Sequence, residues 1–288
     1  MKVGVLGAGA WGSALSLLAA RGGCAVTVWS YNNEFGDFHG MPIPSDMRLT
    51  GNMADLADMD AWLVVTPAAF FRQTIVTARP HYKNQPVLIC TKGLESGTNR
   101  FMSEILAAEL PQCADYGVLS GPQFAGEVAH NVPTGSTLAG TPRTRAMGRE
   151  ILSQMYLEES ADVIGAEICG VGKNAVALIC GYTSVTAGGE NERAMLFTRA
   201  WGEVVRVGQT MGAGLDTFLG LCGVGDLFLS ATSSTSRNFS AGVAIAHDQP
   251  VTGTVEGIFA LRGLIRRAAD IHVDVPVLRD MCARMNLE

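Results

Sequence analysis

Lysine is scarce in this 288-residue sequence: Lys2, Lys83, Lys92 and Lys173 stand against 17 arginines. Cations together are outnumbered by acids, the formal net charge is −6, and no block of like charge occurs. That balance excludes the basic footprint of a nucleic-acid binder and a polybasic membrane patch. The seven cysteines contain no C-x-x-C pair, are odd in number and mostly sit in apolar runs. Reduced thiols in a cytoplasmic protein are therefore expected. None of the five histidines is spaced from another as a metal pair on one helix face, so no metal is expected.

Charge is also missing from Val3 to Ala20, after Lys2. Such a stretch imitates a signal peptide or a membrane span. Gly4, Gly7, Gly9 and Gly12 argue against both, because a strand, a glycine turn and a buried helix produce the same pattern. No other stretch reads as long and apolar enough to span a bilayer, and no membrane partner is expected.

Apolar residues make up 48% of the chain, and the length suits two domains. The first half alternates β-type runs with helical patterns. Strands are expected at Lys2–Leu6, Cys24–Trp29, Ala61–Thr66, Pro86–Cys90, Tyr116–Leu119, Ser136–Ala139 and Asp162–Ile164. Helices are expected at Trp11–Arg21, from Pro67 to Ala78, and at Arg100–Leu110 and Arg143–Tyr156. This alternation implies a mostly parallel sheet covered on both faces. After Glu167 the β-type runs stop. Helical patterns follow at Cys169–Ala187, Glu192–Met211, Thr217–Leu221, Ser240–Ala246, Val255–Ile271 and Val277–Met285. The fold class is thus α/β, a doubly wound sheet followed by an all-α domain, with domains at 1–166 and 167–288.

Gly7-Ala8-Gly9-Ala10-Trp11-Gly12 follows the first strand and opens the first helix. In that context the G-x-G-x-x-G spacing reads as a dinucleotide turn. Gly7 allows the tight turn, Gly9 lets backbone approach a pyrophosphate, and Gly12 lets the helix lie close to the sheet. The helix N-terminus offers N–H groups to phosphate. A packing turn without ligand is the competing reading. The second strand ends Val28-Trp29-Ser30-Tyr31-Asn32, with neither an acid for a ribose 2′-hydroxyl nor an arginine for a 2′-phosphate, and Glu34 comes slightly late. The choice between NAD and NADP stays open on these residues.

Two lysines lie in apolar, glycine-flanked settings, Thr91-Lys92-Gly93 and Gly172-Lys173-Asn174. An ammonium one turn into an apolar helix is costly as a structural charge, and burial suits a lysine to proton transfer. A lysine snorkelling to the surface is the bland alternative, and it is the one adopted for Lys83. Gly223-Val224-Gly225-Asp226 sets one acid in an apolar, flexible backbone. Ser236-Arg237-Asn238 reads equally as a phosphate clamp or as a helix cap at Ser236.

These blocks together resemble the bacterial NAD(P)-dependent sn-glycerol-3-phosphate dehydrogenases. The resemblance runs through Gly7–Gly12, Thr91-Lys92-Gly93-Leu94-Glu95, Leu119-Ser120-Gly121-Pro122-Gln123-Phe124-Ala125 and Glu127-Val128-Ala129. It continues through Asp162–Glu167, Gly170–Asn174, Gly189-Glu190-Asn191, Thr198-Arg199, Thr217–Leu221, Gly223–Leu227, Ser236-Arg237-Asn238 and Val255-Glu256-Gly257. It implies a Rossmann domain, then a helical domain, with the site in the cleft. The implied reaction is hydride transfer between a nicotinamide cofactor, NAD or NADP, and the dihydroxyacetone phosphate/sn-glycerol 3-phosphate pair, feeding glycerophospholipid synthesis. By the same resemblance Lys173 is the general acid/base, Lys92 orients substrate and supports the alkoxide, and Asp226 positions Lys173. Ser230, Arg237, Asn238 and Gly121 then fall on the substrate side. Gly7, Gly9, Ala10, Trp11, Gly12, Ser30, Tyr31, Pro67, Lys92, Ala125, Asn174, Arg237 and Glu256 fall on the cofactor side. A cytoplasmic homodimer is implied as well. The chain departs from the family at Gln123, commonly serine, at Gly172, usually a larger apolar residue, and at Tyr31, often arginine. A reductase of another small 2-oxo or hydroxy acid and a non-catalytic dinucleotide binder are the rival functions.

Overall fold

The computed structural model describes residues 1–251, 253 and 255–287. The chain forms two compact units: Met1–Lys92 with Phe101–Leu119 and Gln123–Val163, and Gly93–Arg100 with Ser120–Pro122 and Ile164–Glu288.

The first unit is built on an eight-stranded sheet. Its strands are β1 (Lys2–Leu6), β2 (Ala25–Trp29), β3 (Arg48–Thr50), β4 (Ala61–Val64), β5 (Val87–Ile89), β6 (Tyr116–Ser120), β7 (Gly135–Gly140) and β8 (Tyr156–Ser160). The spatial order is β3-β2-β1-β4-β5-β6-β7-β8. β1 pairs in parallel with β2 and β4, β2 with β3, β4 with β5, β5 with β6, and β7 with β8. Central strands of a parallel sheet are covered on both faces and so read as unbroken apolar runs. Ala-Trp-Leu-Val of β4 is buried at every position. The helices of this unit are α1 (Ala10–Arg21), α2 (Ala68–Ala78), α3 (Met102–Glu109), α4 (Ala125–Ala129) and α5 (Pro142–Ile151). α1 packs on α4 and α2 on α3. Arg21 of α1 also donates to the Val128 and Ala129 carbonyls at the end of α4.

The last strand corrects the sequence reading at two points. The helix expected through Tyr156 stops at Ile151, and the strand expected at Asp162–Ile164 is instead β8. Asp162 donates its N–H to Ser160 Oγ, and a long helix opens at Val163. β8 is an edge strand carrying Glu158 and Glu159. Charge on an edge blocks pairing with other chains and costs no core burial, but it removes the apolar signature that marks the other strands. β3, the opposite edge, was not expected at all for the same reason.

The second unit is helical. It holds α6 (Val163–Thr186), α7 (Glu190–Thr210), α8 (Leu215–Leu219), α9 (Asp226–Thr232), α10 (Arg237–Ala246), α11 (Glu256–Asp270) and α12 (Pro276–Arg284). α6 crosses α10 with backbones almost touching. A Cβ at Gly181 would lie 1.9 Å from the Phe239 carbonyl oxygen, and one at Gly242 would lie 2.1 Å from that of Leu178. α12 is capped by Glu203 of α7, whose buried carboxylate accepts the Val277 and Leu278 N–H groups at 2.9 Å each. Two stretches, Val163–Thr186 and Leu215–Thr232, are long and apolar enough by length and composition to cross a bilayer. The sequence reading had singled out only the N-terminal stretch. The apolar window of α6 is 83% buried, as a core helix requires. All seven cysteines are buried thiols outside any disulfide.

Candidate active site

In the first unit β1 ends at Leu6 and the chain turns at Gly7, whose φ of +121° favours glycine. The Gly7 N–H donates to the Trp29 carbonyl at the end of β2, 3.0 Å away. A Cβ at Gly12 would sit 1.9 Å from the Gly7 carbonyl oxygen, so α1 lies against the turn only because residue 12 has no side chain. Gly9 behaves differently: it is exposed, and a Cβ there would meet nothing within 4 Å. No side chain caps the N-terminus of α1, and no acid lies in its first turn. An open approach to uncapped N–H groups at the positive end of a helix dipole suits a pyrophosphate. The residues present therefore fit a dinucleotide.

The other residues of this unit expected on the cofactor side lie close after the carboxyl ends of the parallel strands. Ser30 and Tyr31 follow β2, Pro67 caps α2 just after β4, and Lys92 follows β5. β2 and β4 flank β1 on opposite sides, which makes the end of β1 the switch point of the sheet, where such folds take ligands. Thr91 ties β5 to β4, donating to the Thr66 carbonyl at 2.7 Å and the Val64 carbonyl at 3.3 Å. Lys92, half-buried, is carried on that junction. Burial pushes the neighbouring Cys90 thiol far up, so it stays protonated and inert. Ala125 opens α4, and Gly121 lies in the segment 120–122 that belongs with the second unit.

Beyond β2 a polar chain closes on itself. Ser30 Oγ donates to Asn32 Oδ1 at 3.1 Å, Asn32 Nδ2 donates to the Glu34 carboxylate, and the Glu34 N–H returns to Asn32 Oδ1 at 3.3 Å. The sequence reading passed over Asn32. Its signal is the Asn-x-Glu spacing, which lets one side-chain amide brace the acid two residues on.

In the second unit α6 carries Lys173 and α9 begins at Asp226. A π-helical turn, Leu221–Gly225, leads into α9. Such turns carry an extra residue and recur at functional sites. Lys173 Nζ lies 3.1 Å from Asp226 Oδ1 and donates to Ser230 Oγ at 3.0 Å, while Ser230 Oγ donates to Asp226 Oδ1 at 3.4 Å. The Asp226 side chain is 1% exposed and that of Lys173 14%. The three groups form a closed triangle in which the Lys173 side chain keeps the most exposure to solvent.

One residue further along α6, Asn174 links two more helices. Asn238 Nδ2 donates to Asn174 Oδ1 at 2.8 Å, and Asn238 Oδ1 accepts the Gly257 N–H of the α11 first turn at 2.9 Å. Asn174 Nδ2 donates to Glu256 at 3.3 Å. Asn238 is thus engaged by α6 and α11. Arg237 stands exposed as the first residue of α10, and Ser236 caps that helix by accepting the Phe239 N–H. Among the described residues no group of three His, Cys, Asp or Glu side chains is placed to hold a metal.

Residues 2–146 match the N-terminal family model of NAD-dependent glycerol-3-phosphate dehydrogenase, and residues 162–286 match the C-terminal one. The chain belongs to the NAD-dependent glycerol-3-phosphate dehydrogenase family. A glycerol-3-phosphate dehydrogenase (NAD(P)+) of Caulobacter vibrioides is 37% identical, over 98% of this chain and 92% of the relative. One of Paramagnetospirillum magneticum is 40% identical, over 83% and 92%. The crystal structure of glycerol-3-phosphate dehydrogenase from Coxiella burnetii superposes with a TM-score of 0.87 at 29% identity, covering 99% of this chain and 94% of that one. Two of the positions expected to depart from the family, Gly172 and Gln123, have defined local surroundings. A Cβ at Gly172 would lie 2.4 Å from Val204 Cγ1, so Val204 occupies the space that a side chain at residue 172 would need. Gln123 reaches sideways to donate to the Met155 sulfur at 3.1 Å.

Proposed function

We propose that this chain interconverts dihydroxyacetone phosphate and sn-glycerol 3-phosphate by hydride transfer with a nicotinamide dinucleotide, and that the glycerol 3-phosphate feeds glycerophospholipid synthesis. The observation that carries the reading is the Lys173–Asp226–Ser230 triangle, in a chain whose two halves both match the family. The reduced cofactor, when bound, supplies a hydride to the C2 carbonyl carbon. Negative charge then builds on the C2 oxygen, which cations and a proton donor stabilise. Lys173 gives its proton to that oxygen, and in the reverse direction takes it back. Asp226 and Ser230 hold the Lys173 ammonium in one orientation, so that little reorganisation accompanies transfer. Lys92 is the second cation at the alkoxide. Arg237 takes the substrate phosphate through its guanidinium fork. Asn238 and Gly121 complete the substrate side by hydrogen bonding. The turn Gly7–Gly12, with Pro67 and Ala125, holds the dinucleotide.

Both rival functions lose ground to the two-domain family match. A 2-oxo acid reductase needs no phosphate partner such as Arg237, and a non-catalytic binder needs no triangle. We place the passage from the dinucleotide domain to the helical domain at Ala166, early in α6, and take the working form to be a cytoplasmic homodimer, which light scattering checks. The decisive assay mixes the protein with dihydroxyacetone phosphate and NADH or NADPH and follows the loss of nicotinamide absorbance. Lys173→Met should lower turnover about a thousandfold while NADH still binds. Retained activity in that variant refutes the assignment of Lys173.

A further inference from the structure

We propose that this chain selects NAD(H) over NADP(H), with the Glu34 carboxylate, braced by Asn32, accepting the 2′-hydroxyl of the adenosine ribose. The inference rests on the dinucleotide reading of the Gly7–Gly12 turn and adds to it a choice that the strand end alone leaves open.

The segment after β2 is an arch whose two feet stand on the glycine turn. At one foot the Trp29 carbonyl accepts the Gly7 N–H at 3.0 Å. At the other the Gly36 N–H donates to the Ala8 carbonyl at 3.4 Å. Glu34 lies within this arch. A position that looks late when counted along the chain lies two residues before Gly36, which the second foot ties to the turn. There its carboxylate takes the Asn32 side-chain amide, and its own N–H is held by the same asparagine. A carboxylate accepting one such bond keeps further lone pairs for a sugar hydroxyl, and Glu34 is exposed.

The charge around the arch points the same way. From Gly22 to Met47 there is no lysine or arginine, whereas Glu34, Asp37 and Asp46 lie in that span. The next cation along the chain, Arg48, is paired with Asp55 at 2.7 Å. His39, the remaining group able to carry positive charge here, turns its Nε2 to the Ala10 carbonyl at 2.7 Å. A 2′-phosphate would face a carboxylate with no arginine or lysine supplied by the arch. Tyr31 completes the subsite: it is 79% exposed, and its ring stands at 80° to that of Trp29 with centroids 6.3 Å apart. A ring so exposed has a face to offer the adenine.

The test is equilibrium binding without substrate, titrating NADH and NADPH separately into the intact protein and reading nicotinamide fluorescence. NADH should bind about thirtyfold more tightly, since the 2′-phosphate loses a charge-assisted hydrogen bond and meets like charge. Glu34→Gln should weaken NADH about tenfold and bring the two affinities within about threefold of each other. Tyr31→Arg should tighten NADPH, as an arginine at the strand end accommodates a 2′-phosphate. Unchanged melting temperatures show that the variants are folded. Equal binding of the two nucleotides by the parent protein, or an unchanged ratio in Glu34→Gln, overturns the proposal. Turnover of dihydroxyacetone phosphate by the parent protein is read separately, so that equal binding of the two nucleotides with turnover intact overturns this inference and leaves the proposed activity standing.

Discussion

Replacing Asp226 by asparagine strips the Lys173 ammonium of a carboxylate 3.1 Å away, at a position where the acid is 1% exposed. At that separation and an effective dielectric of about 20, the attraction is about 5 kcal/mol. Most of it offsets the cost of holding two charges out of water, so the pair contributes little net stability. Breaking it is another matter, because the desolvation cost of the remaining charge persists. Asp226→Asn should therefore destabilise the protein by about 3 kcal/mol. Lys173→Met combined with Asp226→Leu should recover most of that loss, since neither charge is then buried. Activity should follow a different rule. The single variant keeps Lys173 in a loosened orientation and should lose turnover, whereas the stable double variant should have none. Urea denaturation followed by circular dichroism gives the stabilities of the parent and of both variants, and nicotinamide absorbance gives the rates. The reasoning fails if Asp226→Asn costs less than about 0.5 kcal/mol, or if the double variant is no more stable than the single one.

Three further expectations follow from local geometry. Gly172→Ala drives a Cβ to within 2.4 Å of Val204 Cγ1 and should cost about 1–3 kcal/mol; adding Val204→Ala should restore most of it in the same denaturation assay. Arg143, 2.9 Å away, together with the Thr141 hydroxyl, holds the Asp115 carboxyl below the usual carboxylate range. Its stabilising contribution is then complete above the ordinary carboxylate value and vanishes as pH falls through the lowered one. Solvent screening limits it, so Asp115→Asn should lower stability by about 0.5 kcal/mol at neutral pH and by nothing in strong acid; a loss that persists in acid would contradict this. Burial raises the Cys24, Cys90 and Cys113 thiols and pushes Cys180 up to about 12. A disulfide reagent at mildly alkaline pH should react slowly with the native protein and find seven thiols after denaturation.

What the sequence made legible follows from where each element sits. β1 and β4 are covered on both faces, so their composition alone announced them. β3 and β8 are edges, and Arg48 or Glu158 satisfies an edge without marking it. α9 was missed because it starts straight after Gly223-Val224-Gly225, which reads as a loop in one dimension. At the site, Lys173 and Asp226 stood out as charges in apolar surroundings, which is a local property. That they meet, with Ser230 between them, is tertiary. So is the commitment of Asn238 to Asn174, 64 residues away in the chain. Gly172 looked like a departure until Val204 supplied its other half. The arch that returns Glu34 to the glycine turn depends on one backbone bond at Gly36, of which no residue type gives notice.

The π turn at Leu221–Gly225 fixes the angular phase of everything after it. Each residue of an α-helix advances the azimuth by about 100°. Shortening this turn by one residue would keep Asp226 and Ser230 in the same order on α9. Asp226 and Ser230 would then be swung away from Lys173 by roughly that angle. The meeting of ammonium, carboxylate and hydroxyl thus depends on backbone length as much as on side-chain identity. A single-codon deletion there would disable the site while leaving every one of its groups in the polypeptide.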